Sequence, residues 1–413
     1  MVARRILPTI GTGVLVSVLF LGAFQNVVAQ ANSAEGSMDT SGETSASTTL
    51  GGYGNAFYQR NFDSRTSTID LERFVLFVGH EFTPTISLFS ELEVEDAKVT
   101  GGVEGGEVSI EQAYLKFDLD AHHSVVAGLF LPRIGILNEN HLPPSFNGNE
   151  RTIVETLVIP ATWRELGVGF YGMLAPFQLS YSIGVMNGLA ASGFQHGSLI
   201  REGRFEGRNA SANNLALTGS LQASRGQFQV QLSGYYGGSV GLSPHQADSL
   251  QLASGFFGTP VLLGEADVQY QSKGLSVKLL GTVVSIPDAD KINRAFANNT
   301  PTAAFGAYLE VGYDILSPAE EPQQSQLILF GRVERVDLNA RIPSNGIADP
   351  TLNQRHITLG ATYLPNPNIV LKADVRLMHT GDLNPALVVN PDLNAPSYVP
   401  NNTYFNLGIG FAF

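Results

Sequence analysis

The chain holds few groups able to make or break covalent bonds, and none is set as such chemistry requires. Gly237-Gly238-Ser239-Val240-Gly241 matches the Gly-x-Ser-x-Gly pattern of serine hydrolases. That pattern works only between a strand and a helix, which hold the serine on a strained turn. Leu242-Ser243-Pro244 comes next here without helical periodicity, so a glycine-rich external loop is expected. Gly51-Gly52-Tyr53-Gly54 opens a strand and is not a phosphate-cradling turn. His122 and His123 are adjacent, so they point to opposite sides of an extended chain, and no His-Glu-x-x-His run occurs. Glu91, Glu93 and Glu95 share one strand face, where a solvated acidic stripe is expected in preference to a cation site. Without cysteine there is no thiolate nucleophile or thiolate metal site. The expectation is no enzyme, no metal and no cofactor.

Ionisable residues can also act by field alone. The longest stretch without strand character, Leu131–Thr162, carries Arg133, Glu139, His141, Glu150 and Arg151, with Arg164 just beyond. It also carries Ile134, Ile136, Leu137, Ile153, Val154, Leu157, Val158 and Ile159, more apolar residues than an exposed loop needs. Structureless stretches of this length usually have a job. Folded into a barrel, the loop would pack its apolar residues on the wall and set its charges across a constriction, where charged side chains tune which ions pass.

The elements that must position this loop are strands. Sixteen strand-like segments lie beyond residue 48, most of about ten residues, the length a tilted strand needs to cross a bilayer. Short turns and longer loops alternate between them, as in outer-membrane barrels. In Val370–Met378, Lys372, Asp374 and Arg376 alternate with apolar residues. In Phe305–Asp314, Glu310 alternates with Leu309 and Val311. With Lys116, Arg332 and Glu334 these are the expected lumen-wall residues. Charges on an inner face are costly in a dry core and cheap in a wet lumen. Asp70–Val78 fits the alternation poorly, and Ile328 and Phe330 share a face with Arg332. The last segment, Thr403–Phe413, alternates strictly and should pair with the first near Leu50.

The fold expected is therefore all-β: an antiparallel transmembrane β-barrel of about 16 strands, spanning 49–413, with the long third loop inside. Residues 1–31 have the form of a cleaved signal peptide, with Arg4 and Arg5, the apolar run Val14–Phe24 and Ala29-Gln30-Ala31. Residues 32–48 read as a flexible periplasmic segment. The formal charge of -13 argues against nucleic acid as a partner.

Glu111-Gln112-Ala113-Tyr114-Leu115 and the run from Ala127 to Gly135, then Asn138-Glu139, resemble the phosphate-selective porin O and P family. The resemblance implies a trimeric sixteen-stranded outer-membrane barrel whose third loop narrows the pore. It implies a porin for small polar solutes or ions, anions such as phosphate included. In that family lysines and arginines line the anion path, whereas this chain has six lysines and none between Leu131 and Thr162. Outer-membrane lipid and lipopolysaccharide, the barrel assembly machinery and two further copies of the chain are the partners expected. The alternative is a barrel that serves as an anchor or adhesin through its external loops.

Overall fold

A computed structural model describes residues 46–96, 106–316, 325–387 and 398–413. The expected signal peptide, and the segment behind it up to residue 45, lie outside the described residues. Sixteen strands run in order: β1 Ser47–Asn61, β2 Thr66–Thr83, β3 Ile86–Glu95, β4 Val108–Asp118, β5 His123–Phe130, β6 Glu165–Leu174, β7 Leu179–Asn187 and β8 Leu215–Arg225. The second half comprises β9 Phe228–Gly238, β10 Pro260–Ser272, β11 Leu275–Ser285, β12 Ala303–Asp314, β13 Gln326–Arg341, β14 Asn353–Asn366, β15 Ile369–Thr380 and β16 Asn401–Ala412. Each pairs antiparallel with its neighbours, and β16 pairs with β1 to close the barrel. At the seam, Tyr53 stands opposite Ala412 and Asn61 opposite Tyr404. Closure satisfies every strand edge, which a lipid solvent demands.

The molecule is built inside out. On β12, Leu309, Val311 and Tyr313 are exposed, while Tyr308, Glu310 and Asp314 are buried. On β15, Leu371, Val375 and Leu377 face outward and Lys372, Asp374 and Arg376 inward. An apolar exterior over a polar interior is the pattern of a lipid-facing barrel.

The two strands that fit the alternation poorly have separate explanations. The β1–β2 register slips between Asn55 and Phe57, so β2 carries a bulge between Asp70 and Arg73. An extra residue reverses the facing of the residues beyond it, and Glu72 and Arg73 both turn toward the interior, 2.7 Å apart. On β13, Phe330 and Arg332 do share the inner face, because the loop inside gives the phenyl ring something to pack on. A second bulge lies on β4. Glu91 pairs with Gln112 and Leu92 with Ile110, leaving Glu111 as the extra residue.

The interior is occupied. The connection from β5 to β6 enters the barrel and carries a short helix, α1 (Ile153–Leu157). Two further helices in later external loops, α2 (Pro244–Ser249) and α3 (Ala289–Phe296), have six and eight residues. An apolar cluster joins Ile134, Val154, Ile159 and Trp163 from the β5–β6 loop to Leu189, Phe194 and Ile200 from the β7–β8 loop. Ile292 of α3 and inward residues of β9 to β13 complete it.

Candidate functional site

The third loop is organised from its ends. Asn138 ties them together. Its amide nitrogen donates to the carbonyls of Pro132 (2.7 Å) and Trp163 (3.2 Å), and its oxygen accepts the Trp163 N–H at 2.6 Å. Gly135 turns the entry with a left-handed φ of 75°, and a Cβ there would meet Glu155 Oε1 at 2.7 Å. Glu155 holds the entry to α1, accepting the Ile136 and Leu137 amides at 2.7 Å each and the Tyr308 hydroxyl at 2.9 Å. The Thr152 hydroxyl caps α1 by accepting the Glu155 N–H. Gly306 of β12 lets the helix approach, since a Cβ there would lie 2.8 Å from Val154.

The middle of the loop crosses to the far wall and is fastened there by charge. Arg332 donates to Glu310 at 3.2 Å and Glu334 at 2.9 Å, and to the loop carbonyls of Asn147 and Glu150 at 3.3 Å. Asp374 accepts from the Asn149 backbone (2.9 Å) and side chain (2.7 Å). Arg376 pairs with Glu150 at 2.8 Å, and the Lys372 ammonium sits 3.6 Å over the Phe146 ring. Six of the seven wall candidates (Glu310, Arg332, Glu334, Lys372, Asp374 and Arg376) thus lie beneath the loop, against the expectation of charges facing open water. Lys116 alone lies clear of it, 2.8 Å from Asp118.

The six loop candidates do not meet in one ring. Arg133 pairs with Glu139 at 2.7 Å, stacks 5.5 Å over Tyr171, and has its pKa raised by that carboxylate. Glu150 faces β15. His141 and Arg151 turn to β1–β4. His141 lies 3.0 Å from the Tyr53 hydroxyl, and Arg151 reaches the His141 carbonyl at 3.4 Å. Burial holds the His141 imidazole down to about 4, against the pull of Glu111. Arg164 bonds Ser109 and Glu206 near the mouth. Of the expected stripe, Glu95 is half-buried, whereas Glu91 and Glu93 are not solvated. Both side chains are 2% exposed, because the loop covers them.

Below the loop a vestibule of about 1510 Å³ extends from the short turns at one end to Arg133, Ile136, Glu139 and Asn140 of the loop. One wall is aromatic: Phe89 stacks on Tyr114 at 5.4 Å and meets Phe77 at 6.0 Å. The opposite wall, from β8 to β10, presents Gln222, Gln229, Gln231, Gln269 and Gln271. These residues carry no charge to mark them in the sequence, although the Gln/Ser face of 228–236 is plain there.

The hydrolase-like pattern does not present the exposed serine that such chemistry uses. A six-residue helix does come after it, contrary to expectation, but Ser239 is fully buried and its hydroxyl donates to the Thr259 carbonyl at 2.6 Å.

No family model matches the chain. It belongs to the same family as an uncharacterized protein of Aquifex aeolicus (strain VF5), 33% identical over 339 residues, which cover 79% of this chain and 74% of that one. Among solved structures it is similar to the outer membrane channel DcaP of Acinetobacter baumannii, at 13% identity and a TM-score of 0.56 over 91% of this chain and 100% of that one. It is also similar to Salmonella typhi OmpF in complex with daunomycin, at 12% identity and 0.54 over 89% and 97%. A loop L8 deletion mutant of OmpT, an outer membrane protein of Vibrio cholerae, aligns at 10% identity and 0.53 over 89% and 99%. At such identities the likeness is one of fold, that of outer-membrane barrels.

Proposed function

We propose that the chain is an outer-membrane porin, a passive diffusion channel for small polar solutes or ions, exported through a cleaved signal peptide. The observation that carries this is the vestibule ending on a loop that crosses the barrel; we read its inner end as the neck of the pore, with Arg133 and Glu139 there. Transport then needs no covalent step. Arg133 is paired with Glu139 at the neck and Lys116 with Asp118 along the vestibule wall, and the amide and aromatic walls suit uncharged polar solutes. Support for phosphate selectivity is the family resemblance of residues 111–140. Reversal potential under a phosphate gradient decides it, and a cation-selective value overturns it.

One Vibrio cholerae OmpT structure is described as a trimer form. We extend the trimer to this chain, together with contacts to lipid, lipopolysaccharide and the assembly machinery. The test is single-channel recording of the purified full chain in a planar bilayer. Steps in groups of three support a trimeric porin, and a silent bilayer overturns the channel. The second reading, a plugged barrel acting as anchor or adhesin, draws on the apolar cluster in the mouth around Trp163, Phe194, Ile200 and Ile292. It predicts the silent bilayer.

A further inference from the structure

Where the third loop meets β3 and β4, three buried side chains converge: Glu91, Glu111 and His141. One ligand atom from each lies within 4.8 Å of the others. Glu111 Oε1 is 3.5 Å from His141 Nε2, a separation that two ligands of a tetrahedral cation would share. Glu91 keeps one oxygen occupied by the Gln112 amide at 2.8 Å and has the other to offer.

The cluster lacks positive hydrogen. His141 Nδ1 lies 3.0 Å from the Asn138 carbonyl, which can only accept, so Nδ1 carries the proton and Nε2 the lone pair. A backbone carbonyl behind the imidazole is the usual orienting partner of a metal-bound histidine. The Tyr53 hydroxyl lies 3.0 Å from both His141 Nε2 and Glu111 Oε2, and its one proton serves only one of them. Glu111 Oε1 is fully buried and accepts no hydrogen bond of ordinary geometry, with the Thr162 hydroxyl beside the carboxylate. An ionised oxygen left so in a dry interior is costly unless something cationic sits beside it.

Two features concentrate the charge. The β4 bulge turns Glu111 inward beside Gln112, and bulges of this kind re-aim side chains next to functional sites. The β2 bulge does the same for Glu72 beside Arg73. Glu72, Glu91, Glu93 and Glu111 face Arg73 and Arg151 within the patch, four carboxyl groups to two guanidinium groups. Arg164, the next cation, is bonded to Glu206.

We propose that Glu91, Glu111 and His141 bind one divalent cation of the zinc class, which braces the third loop against β3 and β4. One imidazole and two carboxylates suit such a cation, with the Tyr53 oxygen or a water in the fourth position. The cation would fasten the loop on the side opposite the Arg332 and Asp374 anchor.

The test is zinc titration of the full-length folded protein in detergent after chelator treatment, read by calorimetry and by Tm. One saturable zinc per chain, with a Tm that rises with zinc, is the result expected. Glu111→Gln and His141→Asn should weaken binding by at least about 10- to 100-fold, while the double variant His122→Ala/His123→Ala retains it. No saturable binding, or binding unchanged in both cluster variants, overturns the proposal. So does loss of binding in the turn-histidine variant. Should a cluster variant fail to fold, X-ray absorption of the zinc-loaded wild type decides. One imidazole with oxygen donors supports the site, and two or more imidazoles overturn it. None of these outcomes depends on whether the barrel conducts.

Discussion

Arg332 makes four charge-assisted hydrogen bonds to two wall carboxylates and two loop carbonyls while almost fully buried. Removing it strands Glu334 without a counter-charge and leaves Glu310 only Lys278, 4.0 Å away, a loss of about 3–5 kcal/mol where a buried pair is broken. Arg332→Ala should lower Tm and let trypsin cut at Arg133 or Arg151, with the barrel still migrating as a folded band before boiling. Continued protease resistance would show that the loop is held by its apolar face alone. Arg133 acts differently. Arg133→Ala leaves the Glu139 carboxylate at the neck unpaired, so the reversal potential should move toward cation preference. An unmoved value places the ion path elsewhere.

At the scale of elements, the strands were legible because lipid on one side and a polar lumen on the other impose a period of two. All sixteen expected segments match strands of the structure to within a few residues. The bulges at Glu72 and Glu111 were not legible, since one extra residue changes hydrogen-bond register and leaves no mark in composition. The entry of the third loop was readable from its excess of Ile, Leu and Val. Its landing point was not, because Asn149 meets Asp374, and Arg332 meets Glu150, across 182 residues or more of sequence. For the same reason Glu91 and Glu93 looked solvated: the loop that covers them comes from a distant part of the chain. That loop holds its shape through Asn138, which joins its two ends. Asn138→Ala removes three hydrogen bonds and orphans the buried Trp163 N–H, at about 1–3 kcal/mol for that group alone. Noisier single-channel current with a lower Tm is expected, and a quiet trace with wild-type Tm would mean that the loop is held elsewhere.

Among the described residues the strands form a ring of nearest neighbours in which one strand pairing, β1 with β16, joins distant parts of the sequence. At that seam Gly52 and Phe413 exchange backbone hydrogen bonds, 2.9 and 2.8 Å. The order in which the strands are written along the chain therefore leaves little trace in the finished ring. A short linker from Phe413 to Ala46, with new ends cut into the external connection 96–107, makes a circular permutant in which β1 and β16 become an ordinary hairpin. Such a protein, refolded in detergent, should give the same heat-shifted band and the same conductance as the parent. A permutant that stays unfolded would mean that the barrel needs β1 and β16 to arrive as free ends.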